Sequence, residues 1–134
     1  MVADPPPPSA KKVLIVEDNA LNLKLLHDLL EYHGYDVLTT GSGQVAIDIA
    51  GREQPDLILM DIQLPDVSGM EATRRLKAEA TTQRIPIIAV TAFAMSGDRA
   101  MILDSGCDDY VAKPFKVLAF LDLVARYTRG QTGV

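Results

Sequence analysis

The 134-residue chain carries 13 Lys and Arg against 18 Asp and Glu, a net charge of −5, with 48% hydrophobic and 23% charged residues. That length fits one globular domain, and the acidic balance argues against a nucleic-acid surface, which needs clustered Lys and Arg. The single cysteine, Cys107, cannot form an intramolecular disulfide, no apolar run approaches the ~20 residues of a membrane span, and a cytoplasmic location is expected.

Residues 1–10 include Pro5, Pro6, Pro7 and Pro8 and offer almost nothing to bury, so they read as a disordered, proline-rich tail. Residues 130–134 read as a frayed C-terminal tail, which leaves 11–129 as the folded domain. Val13-Leu14-Ile15-Val16 is the first strand candidate. The stripe Leu21, Leu25, Leu26, Leu29 and Leu30 predicts a helix stopped by Gly34. Val37-Leu38-Thr39-Thr40 is a more mixed strand, as at a sheet edge, and Val45, Ala46, Ile49 and Ala50 mark a second helix. The apolar run Leu57-Ile58-Leu59-Met60 follows, then a helix opened by the capping-box pair Ser68 and Glu71 and running to about Ala78. Ile87-Ile88-Ala89-Val90 is a fourth strand, followed by a helix over 95–105 that Gly106 stops. Tyr110-Val111-Ala112 is a second edge-like strand, and Val117, Leu118, Leu121, Val124 and Ala125 mark a last helix. Strands apolar at every position are covered on both faces, so five βα repeats predict an α/β sandwich around a doubly wound parallel sheet.

The residues that follow these runs carry the chemistry. Glu17 and Asp18 end the first strand, Asp61 the third, Thr91 the fourth and Lys113 the fifth. Open parallel sheets bind ligands outside the carboxyl ends of their strands, so distant segments deliver carboxylates, a hydroxyl and an ammonium to one edge. Crowded carboxylates favour a hard divalent cation such as Mg²⁺, which keeps open positions for a phosphoryl group. Lys113 offers a compact positive charge to such a group, Thr91 a donor hydroxyl, and an aspartate a nucleophile for an aspartyl-phosphate.

The stretches Val16-Glu17-Asp18-Asn19, Met60-Asp61-Ile62-Gln63-Leu64-Pro65, Val90-Thr91-Ala92 and Tyr110-Val111-Ala112-Lys113-Pro114 resemble the receiver domain of two-component response regulators. The resemblance spans residues 11–127 and, within the family, is strongest to single-domain regulators of cell division. It implies a flavodoxin-like fold of strand order 2-1-3-4-5. It further implies that Asp61 accepts a phosphoryl group from a histidine kinase. Asp18, Asp61 and the backbone carbonyl of Gln63 would hold Mg²⁺, and Glu17 would act through water. Lys113 would pair with the phosphoryl group, reached through a cis Lys113–Pro114 bond, while Thr91 and Tyr110 would form the switch. A signalling switch rather than an enzyme is expected. Its partners would be a histidine kinase or kinase/phosphatase, and a histidine phosphotransfer protein or downstream regulator on the face of the fourth helix, fifth strand and fifth helix. Neither nucleic acid nor membrane insertion is expected. A receiver cut from a hybrid histidine kinase is the alternative.

Competing readings are weaker. Gly41-Ser42-Gly43-Gln44-Val45-Ala46 fits a dinucleotide fingerprint, but it follows the second strand rather than the first and leaves Glu17, Asp18, Thr91 and Lys113 unexplained. A Mg²⁺-dependent aspartyl-phosphate hydrolase would resemble the haloacid dehalogenases, with a second aspartate where Gln63 stands. His27 and His33 read as surface residues, Met95 and Met101 as packing residues, Cys107 as a small packed thiol, and Phe115 and Phe120 as core or partner-facing.

Overall fold

The structure, a computed structural model, describes residues 10–62, 64, 66–91, 96–113 and 116–129. Ten elements alternate along them: β1 (Lys12–Val16), α1 (Ala20–Tyr32), β2 (Asp36–Thr40), α2 (Gly43–Glu53), β3 (Leu57–Asp61), α3 (Gly69–Ala78), β4 (Ile87–Thr91), α4 (Ser96–Asp104), β5 (Asp109–Ala112) and α5 (Val117–Arg129). The strands form one parallel sheet in the order β2-β1-β3-β4-β5.

Alternation along each strand splits the core into two layers. Leu14, Val16, Ile58, Met60, Ile87 and Ala89 pack against Ala46, Ala50, Ala72, Leu76 and Ile102 of α2, α3 and α4. Val13, Ile15, Leu57, Leu59, Ile88 and Val90 face Leu26, Leu30, Phe120 and Val124 of α1 and α5. Every residue of β3 and β4 is buried, whereas β2 and β5 are only partly covered, as edge strands should be.

Helix ends follow local chemistry. Asn19 caps α1 by accepting from the Asn22 N–H, and Gly34, at φ 90°, closes its far end while the Tyr35 N–H donates to Leu30 O. Ser68 caps α3 by accepting from the Glu71 N–H at 3.1 Å. The Glu71 carboxylate itself pairs with Arg75 at 3.1 Å.

Four sequence expectations need correction, one of them in α2, where Val45 of the predicted stripe is 44% exposed. The α1 stripe is narrower than its five leucines, since Leu26 and Leu30 are buried but Leu21 and Leu25 are 77% and 54% exposed. In α5 Phe120 and Val124 are core, whereas Val117 and Leu118 are exposed. Met101 is exposed rather than packed. Met95, Phe115, residues 1–9 of the N-terminal tail and residues 130–134 lie outside the described residues.

Candidate functional site

Strand ladders carry the site residues to one edge. The Glu17 N–H donates to Thr40 O at 2.9 Å and the Lys113 N–H to Thr91 O at 2.7 Å, extending the β1–β2 and β4–β5 ladders by one residue each. Asp61 and Thr91 are the last residues of β3 and β4, and both are buried. Gly69 fits tightly behind Asp61: its N–H donates to Ile62 O at 2.8 Å, and a Cβ there would fall onto the Asp61 carbonyl oxygen. Only glycine lets the backbone at the start of α3 come so close to the end of β3.

Glu17, Asp18 and Asp61 each offer a carboxylate oxygen, all within 4.8 Å of one another. Lys113 reaches across the ends of β4 and β3, with its Nζ 2.7 Å from Glu17 Oε1 and 3.9 Å from Asp61 Oδ2. Glu17 Oε2 accepts from the Asn19 N–H at 3.2 Å. Burial pushes the Glu17 carboxyl up, but the neighbouring Asp61 side chain, hydrogen bonds from the Lys113 ammonium and the Asn19 N–H, and the Lys113 charge bring it below the usual glutamate range. With Asn19, Asn22 and Thr91, these groups line an open cleft of about 280 Å³.

The donor set suits a hard divalent cation. Three carboxylates face one ammonium, the oxygens converge from two strands, and Asp18 is exposed at the mouth. All three oxygen donors are hard, and the cleft leaves room for water or a phosphoryl oxygen beside them.

Of the residues singled out from sequence, the fold brings Glu17, Asp18, Asp61, Thr91 and Lys113 together at this edge. Tyr110 lies apart from the cleft. It is half-buried on β5 opposite Ala89, against the α2–α4 side of the core. Gln63 and Pro114, and with them the Gln63 carbonyl and the Lys113–Pro114 bond, fall outside the described residues. Asn19 and Asn22 were given no role by sequence reading. Asn19 had a readable signal, an Asx residue at the start of an apolar helix. The dinucleotide reading fails on structure too, because the N-terminus of α2 is occupied by the Asp66 carboxylate, where an anionic pyrophosphate would have to sit.

Comparison with known proteins agrees with this geometry. The polar-differentiation response regulator DivK of Brucella ovis is 52% identical over 117 residues, which is 87% of this chain and 95% of that protein. The receiver domain of the Pseudomonas aeruginosa sensor histidine kinase PA1611, solved with a magnesium ion coordinated in its active-site cleft, is 39% identical. It superposes with a TM-score of 0.84, covering 90% of this chain and 98% of that domain. A response regulator from Chloroflexus aurantiacus superposes with a TM-score of 0.86 at 26% identity, covering 90% of this chain and 99% of that one. Residues 13–125 match the response regulator receiver domain family, and the chain belongs to it.

Proposed function

We propose that this receiver is a Mg²⁺-dependent phosphorylation switch with Asp61 as the phosphoacceptor. The observation that carries the reading is the convergence of Glu17, Asp18 and Asp61 oxygens within 4.8 Å, with the Lys113 ammonium beside them at the carboxyl edge of the sheet. Asp18, Asp61 and the main-chain carbonyl of Gln63 would hold the ion. Glu17, whose oxygens already serve Lys113 and the Asn19 N–H, would act through water. Bound there, the ion would neutralise charge on the transferring phosphoryl group.

The remaining chemistry belongs to the chain. An Asp61 carboxylate oxygen attacks the phosphorus of a kinase phosphohistidine in line. A P–O bond forms as the P–N bond breaks, and the electron pair returns to the imidazole, which is protonated. Lys113 then exchanges its Glu17 partner for a phosphoryl oxygen, and Thr91 donates its hydroxyl to another. Tyr110 shares a sheet face with Thr91, two residues along the register, and moves with it. The altered α4–β5–α5 face engages the next protein. The 52% identity to DivK supports a role in cell division or cell fate, with a histidine kinase or kinase/phosphatase as phosphodonor.

The test is intact-mass measurement after treatment with acetyl phosphate, with and without Mg²⁺. One Mg²⁺-dependent phosphoryl adduct is expected on the wild type and none on Asp61→Asn. An adduct that persists in the variant overturns the assignment.

A further inference from the structure

Asn22 stands in the wall of the cleft that holds Asp61, Thr91 and Lys113, half-buried on the first turn of α1. Asn19 Oδ1 accepts from the Asn22 N–H at 3.0 Å, which caps the helix. A capping box would be completed by the Asn22 side chain reaching back to the Asn19 N–H. That N–H is already donated to Glu17 Oε2 at 3.2 Å. The Asn22 carboxamide is left without a hydrogen-bond partner among the described residues, in the wall of an open cleft. Asparagine is also a weaker helix former than alanine, so α1 gains nothing from this side chain.

The other described polar groups of the cleft have assignments in the phosphorylation reading. Asp18 and Asp61 hold the ion, and Glu17 is bound by Lys113 and the Asn19 N–H. Lys113 and Thr91 take two phosphoryl oxygens, which leaves the third for the ion. That set supplies no hold on the position in line with the Asp61 oxygen, where water must enter for an aspartyl-phosphate to hydrolyse. A carboxamide suits that place. It adds no charge among three crowded carboxylates, and it both accepts and donates hydrogen bonds without ionising.

We propose that Asn22 sets the lifetime of the phosphorylated state by positioning the water that hydrolyses it. This rests on the reading that Asp61 is phosphorylated. The water oxygen forms a bond to phosphorus as the bond between phosphorus and the Asp61 oxygen breaks. The electron pair returns to the Asp61 carboxylate, the water proton leaves to solvent, and inorganic phosphate departs. Asn22 Oδ1 accepts a hydrogen bond from the water and turns its lone pair toward phosphorus, and Asn22 itself neither gains nor loses a proton.

The test follows loss of the phosphoryl adduct by intact mass after acetyl phosphate is removed, at saturating MgCl₂, in the wild type, Asn22→Ala and Asn22→Gln. Asn22→Ala should slow the loss roughly fivefold or more, the effect of one hydrogen bond made in the transition state. Asn22→Gln keeps the carboxamide and should lose the adduct faster than Asn22→Ala. Beryllofluoride with Mg²⁺ takes the place of the phosphoryl group without an entering water, so its affinity for Asn22→Ala should stay within about twofold of wild type. The thermal midpoint of Asn22→Ala should equal or exceed that of the wild type. Loss at the wild-type rate in Asn22→Ala, or no faster in Asn22→Gln than in Asn22→Ala, overturns the proposal. A slower loss that comes with weaker beryllofluoride binding or a lower midpoint also overturns it, by making Asn22 a holder of the phosphoryl group or a structural residue. A wild type that takes up no phosphoryl adduct would overturn the reading of Asp61 itself.

Discussion

Lys113 rests on Glu17 at 2.7 Å rather than on Asp61 at 3.9 Å, so its charge is held in reserve one strand away from the acceptor. A phosphoryl group on Asp61 would bring about two negative charges into its reach and draw it across. Lys113→Ala should therefore leave Mg²⁺ binding intact, since it removes a competing cation. It should also abolish the response of Tyr110 to activation. Beryllofluoride with Mg²⁺ provides the check: the Tyr110 amide signal should shift in the wild type and stay in place in the variant. At this scale the sequence was informative wherever a residue's place followed from the end of an apolar run, as for Glu17, Asp18, Asp61, Thr91 and Lys113. It was silent on Asp66, whose partners Ser42, Gly43 and Gln44 become neighbours only once α2 and α3 are docked side by side. No local spacing encodes that contact.

Elements were legible from periodicity, but their buried arcs were not. Leucines at 21, 25, 26, 29 and 30 wrap around much of α1, while the sheet can cover only one side, so pattern alone cannot select Leu26 and Leu30. The same holds for α5, where Phe120 is buried and Leu118, two residues earlier, is 78% exposed. Phe120→Ala should cost about 3–5 kcal/mol in urea denaturation, whereas Leu118→Ala should stay within about 0.5 kcal/mol of wild type. Equal losses would mean that α5 is rotated about its axis. Helix termini were legible where a short polar side chain or glycine supplied the cap, as at Ser68 and Gly34. The end of α2 was not, because Gln54 adopts φ 49° without being glycine. Its Nε2 donates to Ala50 O and Gly51 O while its Oε1 accepts from Arg84, and these bonds offset the strain of a left-handed side-chain-bearing residue.

The strand order 2-1-3-4-5 came from family resemblance, because apolar runs say that a sheet is buried and not which strands are neighbours. Once assembled, that order stacks like charges at the edge. The molecule's stability is therefore coupled to whatever neutralises Glu17, Asp18 and Asp61. Two opposite effects of one substitution follow. Asp18→Asn should raise the thermal midpoint measured in chelator, by relieving repulsion. It should also erase the gain that Mg²⁺ gives the wild type, a gain of about 2.7 kcal/mol at one hundred times the dissociation constant. A thermal scan with and without MgCl₂ reads both, and a variant that is destabilised in chelator would count against repulsion at this edge.

The position of β1 has a consequence for how the protein is made. It is the first strand in the described chain yet lies inside the sheet, paired with β2 on one side and β3 on the other. During synthesis its apolar residues Val13, Leu14, Ile15 and Val16 leave the ribosome some forty residues before their β3 partners Leu57, Ile58, Leu59 and Met60. Until then the nascent chain can form only the β1–β2 pair, with one edge of a fully apolar strand unpaired. The acidic edge is no earlier: Glu17 and Asp18 wait for Asp61, and all three wait for Lys113 near the end of the chain. A chain stalled before β5 thus carries a crowded set of carboxylates without its counter-charge, so folding and functional competence arrive together at the last strand.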